Sequence, residues 1–140
     1  MISVRKQEVV KLENVLHLYQ AVGWTNYTHQ PQMLEKSLSH SLAIYLALDG
    51  EAIVGLVRLV GDGFSSVFVQ DLIVLPSYQR QGIGSALMKE ALGDFKEAYQ
   101  IQLATDQTEK NLEFYRSLGF ETLSTYDCTG MIWVERKKIK

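Results

Sequence analysis

The 140-residue chain is 46% hydrophobic and 21% charged, with a net charge of −2 and a pI near 5.9; residues 1–140 therefore suit one domain able to bury about two thirds of its unfolded surface. Such a charge balance gives no global attraction for nucleic acid or an anionic membrane. With a single Cys128, no visible metal-ligand cluster, no signal-peptide core in MISVRKQEVV and no apolar run near the roughly 20 residues of a membrane span, a cytoplasmic protein without metal, membrane or nucleic-acid partners is expected.

Ile2 and Val4 among polar neighbours predict a short strand, and Leu12, Val15, Leu16, Tyr19 and Val22 repeat at helical spacing up to Gly23. Trp24 to Gln30 is aromatic and polar without a period, which predicts a loop; Pro31 then opens a short helix with Met33, Leu34 and Leu38. Ala43–Leu48 and Ala52–Val60 flank Asp49-Gly50, a strong hairpin signal. Gly61-Asp62-Gly63 turns the chain into Val67–Val74, so three antiparallel strands are expected in succession. A helix with Ile83, Ala86, Leu87, Ala91, Leu92 and Phe95 on its apolar face follows, then a strand over Tyr99–Thr105 and a helix with Leu112, Phe114, Tyr115 and Leu118. Two further strands, around Thr122–Tyr126 and Met131–Val134, are expected to close the chain. The alternation predicts a mixed α/β fold whose sheet is antiparallel first and parallel near the middle.

The stretch from Val69 to Leu92 organises the rest. An apolar strand reaches Pro76, after which Gln79-Arg80-Gln81-Gly82-Ile83-Gly84 leads into a helix. Backbone N–H groups at a helix start lack intrahelical partners and lie where the dipole is positive, which suits phosphate. Neither a Walker A loop nor a dinucleotide GxGxxG fingerprint is present. The segment instead resembles the acetyl-coenzyme A signature of the GCN5-related N-acetyltransferases, Gln/Arg-x-x-Gly-x-Gly/Ala after a strand and a proline. The later Phe114-Tyr115-Arg116-Ser117-Leu118-Gly119-Phe120 resembles the C-terminal signature of the same family. More narrowly, Val22-Gly23-Trp24, the stretch from Asp71 to Gly84, and Gly130 to Trp133 are similar to a bacterial and plant-plastid branch that includes enzymes acetylating arylalkylamines.

The resemblance implies a mixed, mostly antiparallel sheet of six to seven strands with about four helices, and acetyl-CoA as acyl donor without a metal. It implies that Leu72, Ile73 and Val74 bind the pantetheine arm at a splay between this strand and its parallel neighbour. Amides of Gln79, Arg80, Gln81, Gly82, Ile83, Gly84 and Ser85 would hold the pyrophosphate. The Arg80 side chain either adds charge to the phosphates or stays solvated. Tyr115 matches the family's general acid. Where relatives carry an asparagine seven residues before that tyrosine, this chain has Thr108, with Asn111 as the substitute.

A lysine-like amine is neutral in only roughly one molecule in 2,500 at pH 7, so attack on a thioester requires its deprotonation. Some relatives supply a glutamate on the strand before the Tyr-bearing helix, but Ile101-Gln102-Leu103-Ala104-Thr105 contains no acid. Asp71 is the nearest acidic candidate for the base, and a structural acid is an equal reading. Trp24, Tyr27 and His29 are candidates for the acceptor wall, with core plugging the equal alternative for Trp24 and Tyr27. Family members often pair through late strands, so a homodimer is implied. The expected activity is direct acetyl transfer from acetyl-CoA to a primary amine on a small molecule, amino acid derivative or peptide; the alternatives are a noncatalytic acyl-CoA sensor and a toxin-type acetyltransferase of aminoacyl-tRNA.

Overall fold

In the computed structural model, which describes residues 1–134, strands pair in the order in which the chain makes them. β1 (Ile2–Lys6), β2 (Ala43–Asp49), β3 (Ala52–Gly61), β4 (Ser66–Val74) and β5 (Gln100–Leu103) form one sheet of order β1-β2-β3-β4-β5. The first three pairings are antiparallel, and β4 and β5 are parallel. The β2–β3 turn places Gly50 and Glu51 between the pair Asp49↔Ala52, one residue later than the Asp-Gly signal predicts. Gly50 has φ 63°, the left-handed conformation that tight hairpins favour.

Both faces of the sheet are covered, which explains why β2 is buried along nearly its whole length rather than at alternate residues. On one face, α1 (Leu12–Ala21), the single turn α2 (Thr25–Thr28) and α3 (Pro31–Ser39) contribute Val15, Leu18, Tyr19, Tyr27, Leu34 and Leu38 to a core with Ile44, Leu46, Leu48, Leu56 and Ile73. Opposite lies α4 (Ile83–Asp94), whose Asp94 accepts a 2.6 Å hydrogen bond from Tyr45 of β2. Its buried stripe is Ile83, Leu87, Met88 and Ala91, close to the predicted face.

The β3–β4 register slips by one residue. Arg58 pairs with Asp71 but Leu59 pairs with Val69, so Gln70 is an extra residue on β4. This bulge sends Asp71 to the face of Arg58 and of the α1–α3 core, while Val69 and Leu72 share the opposite face with Leu59 and Val57. Beyond the bulge the parallel ladder stops, since β4 pairs with β5 only over Ser66–Val69.

The chain from Thr105 onward forms a second compact unit. Its helix α5 (Glu109–Ser117) is capped by the Thr108 hydroxyl, which accepts from the Asn111 N–H at 3.1 Å. Two expected strands are absent from it: a 3-10 turn occupies Leu123–Tyr126, and Met131–Val134 is without regular structure. Alternating apolar residues favour a strand only when a partner supplies the ladder. The described residues therefore hold five strands and five α-helices rather than six to seven and about four.

At the β3–β4 turn, the Asp62 carboxylate accepts N–H bonds from Phe64 (2.7 Å), Ser65 (2.8 Å) and Ser66 (3.1 Å) and the Ser65 hydroxyl (2.6 Å). The Ser65 hydroxyl first, then these amides, hold its pKa far below the usual carboxylate range. Stability from a depressed carboxylate is present above its unfolded pKa of about 4 and lost as pH falls through the folded value. Asp62→Ala should lower the urea midpoint at pH 7 and converge on wild type under strongly acidic conditions; an equal deficit throughout would show that the charge is not what closes the turn.

Candidate active site

The open half of β4 and the helix that follows it define the first part of the site. Past Val69 no strand of the described residues pairs with the β5-facing side of β4, which leaves Leu72, Ile73 and Val74 with backbone groups on that edge for an extended ligand. Ile73 is buried beneath, while Leu72 and Val74 are half-buried. A 3-10 turn (Pro76–Tyr78) then lifts the chain off the sheet, and the Gln79 side chain donates to the Val74 carbonyl at 3.1 Å, tying the turn to the strand end.

Arg80 and Gly82 both adopt left-handed backbone, with φ of 66° and 80°. Such conformations are costly for a residue with a Cβ and concentrate where a loop is shaped for a purpose. Gly82 caps α4 with no side-chain hydrogen bond, and the first intrahelical bond runs from Ala86 N–H to its carbonyl, so the amides of Ile83, Gly84 and Ser85 project free of the helix ladder. A Cβ built on Gly82 meets nothing within 4 Å, so the space before the helix is open. Arg80, Gln81 and Gly82 are exposed, and Ile83 is buried in the core below. An edge strand followed by a positive helix end with free amides fits a long acyl carrier bearing phosphates.

Behind this strand, Asp71 is only 2% exposed and Arg58 4%. Asp71 Oδ2 accepts from Arg58 Nε at 2.7 Å and from the Tyr19 hydroxyl at 2.8 Å, and Oδ1 accepts from the Tyr27 hydroxyl at 2.8 Å. Arg58 also donates to the Tyr27 hydroxyl at 3.2 Å, the Ser41 hydroxyl at 3.2 Å and the Ser37 carbonyl at 3.4 Å. Burial first, then the Asp71 charge, pushes the Tyr19 and Tyr27 hydroxyls above the usual phenol range, so both stay protonated donors. Burial works to lower the Arg58 guanidinium, but Asp71 outweighs it and the net direction is upward. The expectation of Asp71 as proton acceptor is corrected accordingly: its charge is already committed to three donors in a closed interior, the geometry of a structural anion.

The same network decides the aromatic candidates. Tyr27 is a core residue whose hydroxyl is spent on Asp71 and Arg58, and the half-buried Trp24 packs on it at 6.2 Å between ring centroids. The expected loop contains the turn α2. His29, just past that turn, is exposed and borders an open surface groove of about 830 Å³ shared with Gln32, Met33, Lys36 and His40. Sequence reading missed Tyr19 and Arg58, although one signal was available: Arg58 and Asp71 are opposite charges, each set in an otherwise apolar strand of the same meander.

Within the second unit, burial pushes the Tyr115 hydroxyl above the usual phenol range, with a hydrogen bond to Thr105 pulling it slightly back. Its ring meets Phe114 and Phe120 edge-on at 4.9 and 6.0 Å. The Asn111 side-chain amide donates to Thr105 Oγ1 at 3.2 Å and to the Asp106 carbonyl at 3.4 Å, so its N–H groups brace the turn before α5.

Residues 40–122, more than half of the sequence, match the model of the acetyltransferase (GNAT) domain family. The chain belongs to the GNAT acetyltransferases. This acetyltransferase is 79% identical to a solved GNAT-family acetyltransferase from Streptococcus pneumoniae TIGR4, over 98% of its own length and 100% of the other, with a TM-score of 0.91. It is 29% identical to the chloroplastic GCN5-related N-acetyltransferase 1 of Arabidopsis thaliana, over 97% of this chain and 68% of the relative. To the chloroplastic serotonin N-acetyltransferase 2 of Oryza sativa subsp. japonica it is 30% identical, over 65% of this chain and about half (48%) of the relative's length.

Removing one partner of a buried ion pair leaves an uncompensated charge and costs about 3–5 kcal/mol. Asp71→Asn should destabilise the acetyltransferase by that amount in urea titration. A loss below about 1 kcal/mol would mean that the pair contributes little to holding the core.

Proposed function

We propose that the protein transfers the acetyl group of acetyl-CoA to the primary amine of a small arylalkylamine-type acceptor, the 140 residues acting as one acetyltransferase domain. The reading rests on one observation: the β4–β5 ladder stops at Val69↔Leu103, and the open half of β4 runs into a helix start whose amides are free. In this reading Leu72–Val74 hold the pantetheine arm through main-chain groups, and the amides from Gln79 to Ser85 hold the pyrophosphate. Arg80 adds charge beside it. The acceptor class is supported by the likeness to the rice serotonin enzyme.

The amine lone pair attacks the thioester carbonyl, the C–N bond forms, and the C–S bond breaks with its electron pair leaving on sulfur. Tyr115 gives its proton to that thiolate, a role supported by a phenol that burial keeps neutral throughout the working pH range. With Asp71 committed to its donors, the ammonium proton leaves to water before attack, which makes the free-base fraction of the amine limiting; the second proton, shed by the nitrogen as the amide forms, also passes to water, and water returns a proton to the Tyr115 phenolate. The deciding experiment is release of coenzyme A thiol with a panel of arylalkylamines, polyamines, amino acids and lysine peptides. Acetyl-CoA binding without thiol release from any of them would leave a sensor instead of an enzyme. Tyr115→Phe should lower kcat by about 100-fold, the lower end of what a general acid contributes, with acetyl-CoA affinity within about twofold; an unchanged kcat would remove Tyr115 from the mechanism.

A homodimer belongs to the same reading. Met131, Ile132, Trp133 and Val134 are 94, 68, 68 and 50% exposed, four consecutive apolar side chains that favour cover by a second copy. Light scattering should give twice the chain mass for the full protein and the monomer mass for a chain ending at Gly130; a monomer in both cases would discard the dimer.

A further inference from the structure

We infer that the tie between Tyr27, Asp71 and Arg58 is a positioning device that fixes α2, and the His29 end of the surface groove, in register with the donor strand β4. The acceptor half of this inference rests on the proposed function; the tie itself does not.

α2 has four residues, far too few to be stable as a helix alone. No side chain caps its N-terminus, the Gln30 side chain donates to the Asn26 carbonyl at 3.1 Å, Thr25 and Asn26 are exposed, and Tyr27 is its only buried residue. Tyr27 is thus its one side chain in the core, beside the half-buried Trp24 that precedes the turn and packs on Tyr19 at 6.2 Å between ring centroids. The Tyr27 ring packs at 5.0 Å on Tyr19, which by itself permits sliding and rotation, but the hydroxyl is pinned twice, donating to Asp71 Oδ1 and accepting from Arg58. Asp71 lies beside the bulge and directly before Leu72, at the point where β4 parts from β5. A hydrogen bond to a buried charge is directional, so α2 cannot shift without breaking it.

Apolar residues of similar volume would hold these elements together at least as well as a buried ion pair, so the pair is better explained by the register that it imposes. The two tyrosines are also unequal. Oδ2 has both Tyr19 and Arg58, whereas Oδ1 has Tyr27. Removing the Tyr19 hydroxyl leaves Oδ2 with a charged donor and α1 anchored by the buried Val15 and Leu18. Loss of the Tyr27 hydroxyl strips Oδ1 and unties α2 together.

The test is amide hydrogen exchange on the full-length protein alone, comparing wild type, Tyr27→Phe and Tyr19→Phe. Tyr27→Phe keeps the ring, and it should speed exchange at residues 25–30 and 70–74 by about tenfold or more, the loss expected for a hydrogen bond to a charged group. Tyr19→Phe should leave both segments within about twofold of wild type. Arg58→Lys keeps the buried cation but withdraws the N–H groups that reach Tyr27, Ser41 and Ser37; it should speed exchange at 25–30 and 70–74 and also at 37–41, with the rest of the chain unchanged, and serves if Tyr27→Phe does not fold. Unchanged exchange at 25–30, or an equal rise across the whole chain in both tyrosine variants, would overturn the tie. In turnover assays with arylalkylamines, Tyr27→Phe should raise the acceptor KM about tenfold, with the KM for acetyl-CoA within about twofold. An unchanged acceptor KM beside the localised exchange would overturn the link to the acceptor. A wild type that acetylates no amine would overturn the functional reading, while the exchange pattern still decides the tie.

Discussion

Asp71 and Arg58 meet at 2.7 Å across two central strands, almost wholly out of water, and the architecture of the first hundred residues is arranged around keeping them there. Taking two charges out of water costs several kcal/mol per ion, and their attraction offsets that only when every remaining donor and acceptor finds a partner. Here the partners come from α1, α2, α3 and the segment entering β2 through Tyr19, Tyr27, Ser37 and Ser41. No buried side-chain nitrogen or oxygen among the described residues is left without a partner. The pair therefore dictates which elements must gather on that face of the sheet, where an apolar core alone would specify only that something gathers.

The bulge at Gln70 follows from the same demand. Without the extra residue, β4 would keep one alternation throughout, and the set that places Val67 and Val69 on the α4 face would send Asp71 there too. With it, Asp71 meets Arg58. Bulges increase strand twist and end ladders locally, and the parallel pairing with β5 ends one residue before this one. The strand that must bury an acid on one side thus acquires an open edge on the other. That edge offers main-chain groups alone, since Leu72, Ile73 and Val74 carry no polar chemistry of their own.

Local chemistry was legible in the sequence and long-range chemistry was not. The hairpin near Gly50, the glycine-rich entry to α4 and the mixed order of strands all follow from neighbours a few residues apart, and all are present. The partners of Asp71 lie 13, 44 and 52 residues away, and neither propensity nor periodicity spans such distances. This is why Asp71, directly before Leu72, read as a proton acceptor. The turn α2 is too short for its period to register. Thr122–Tyr126 and Met131–Val134 carry a strand's composition, but a strand also needs a ladder partner, and composition does not state whether one is at hand.

Three tyrosines show how far environment, rather than residue type, assigns chemistry. Burial raises the phenols of Tyr19, Tyr27 and Tyr115 alike, so at neutral pH each is a neutral hydroxyl. Tyr19 and Tyr27 donate hydrogen bonds to a buried anion, and transferring either proton elsewhere would leave that charge short of a donor. Burial raises Tyr115, and its hydrogen-bond partner is the neutral hydroxyl of Thr105. The same upward shift thus accompanies two different settings, two phenols bound to a buried anion and one whose hydrogen-bond partner carries no charge.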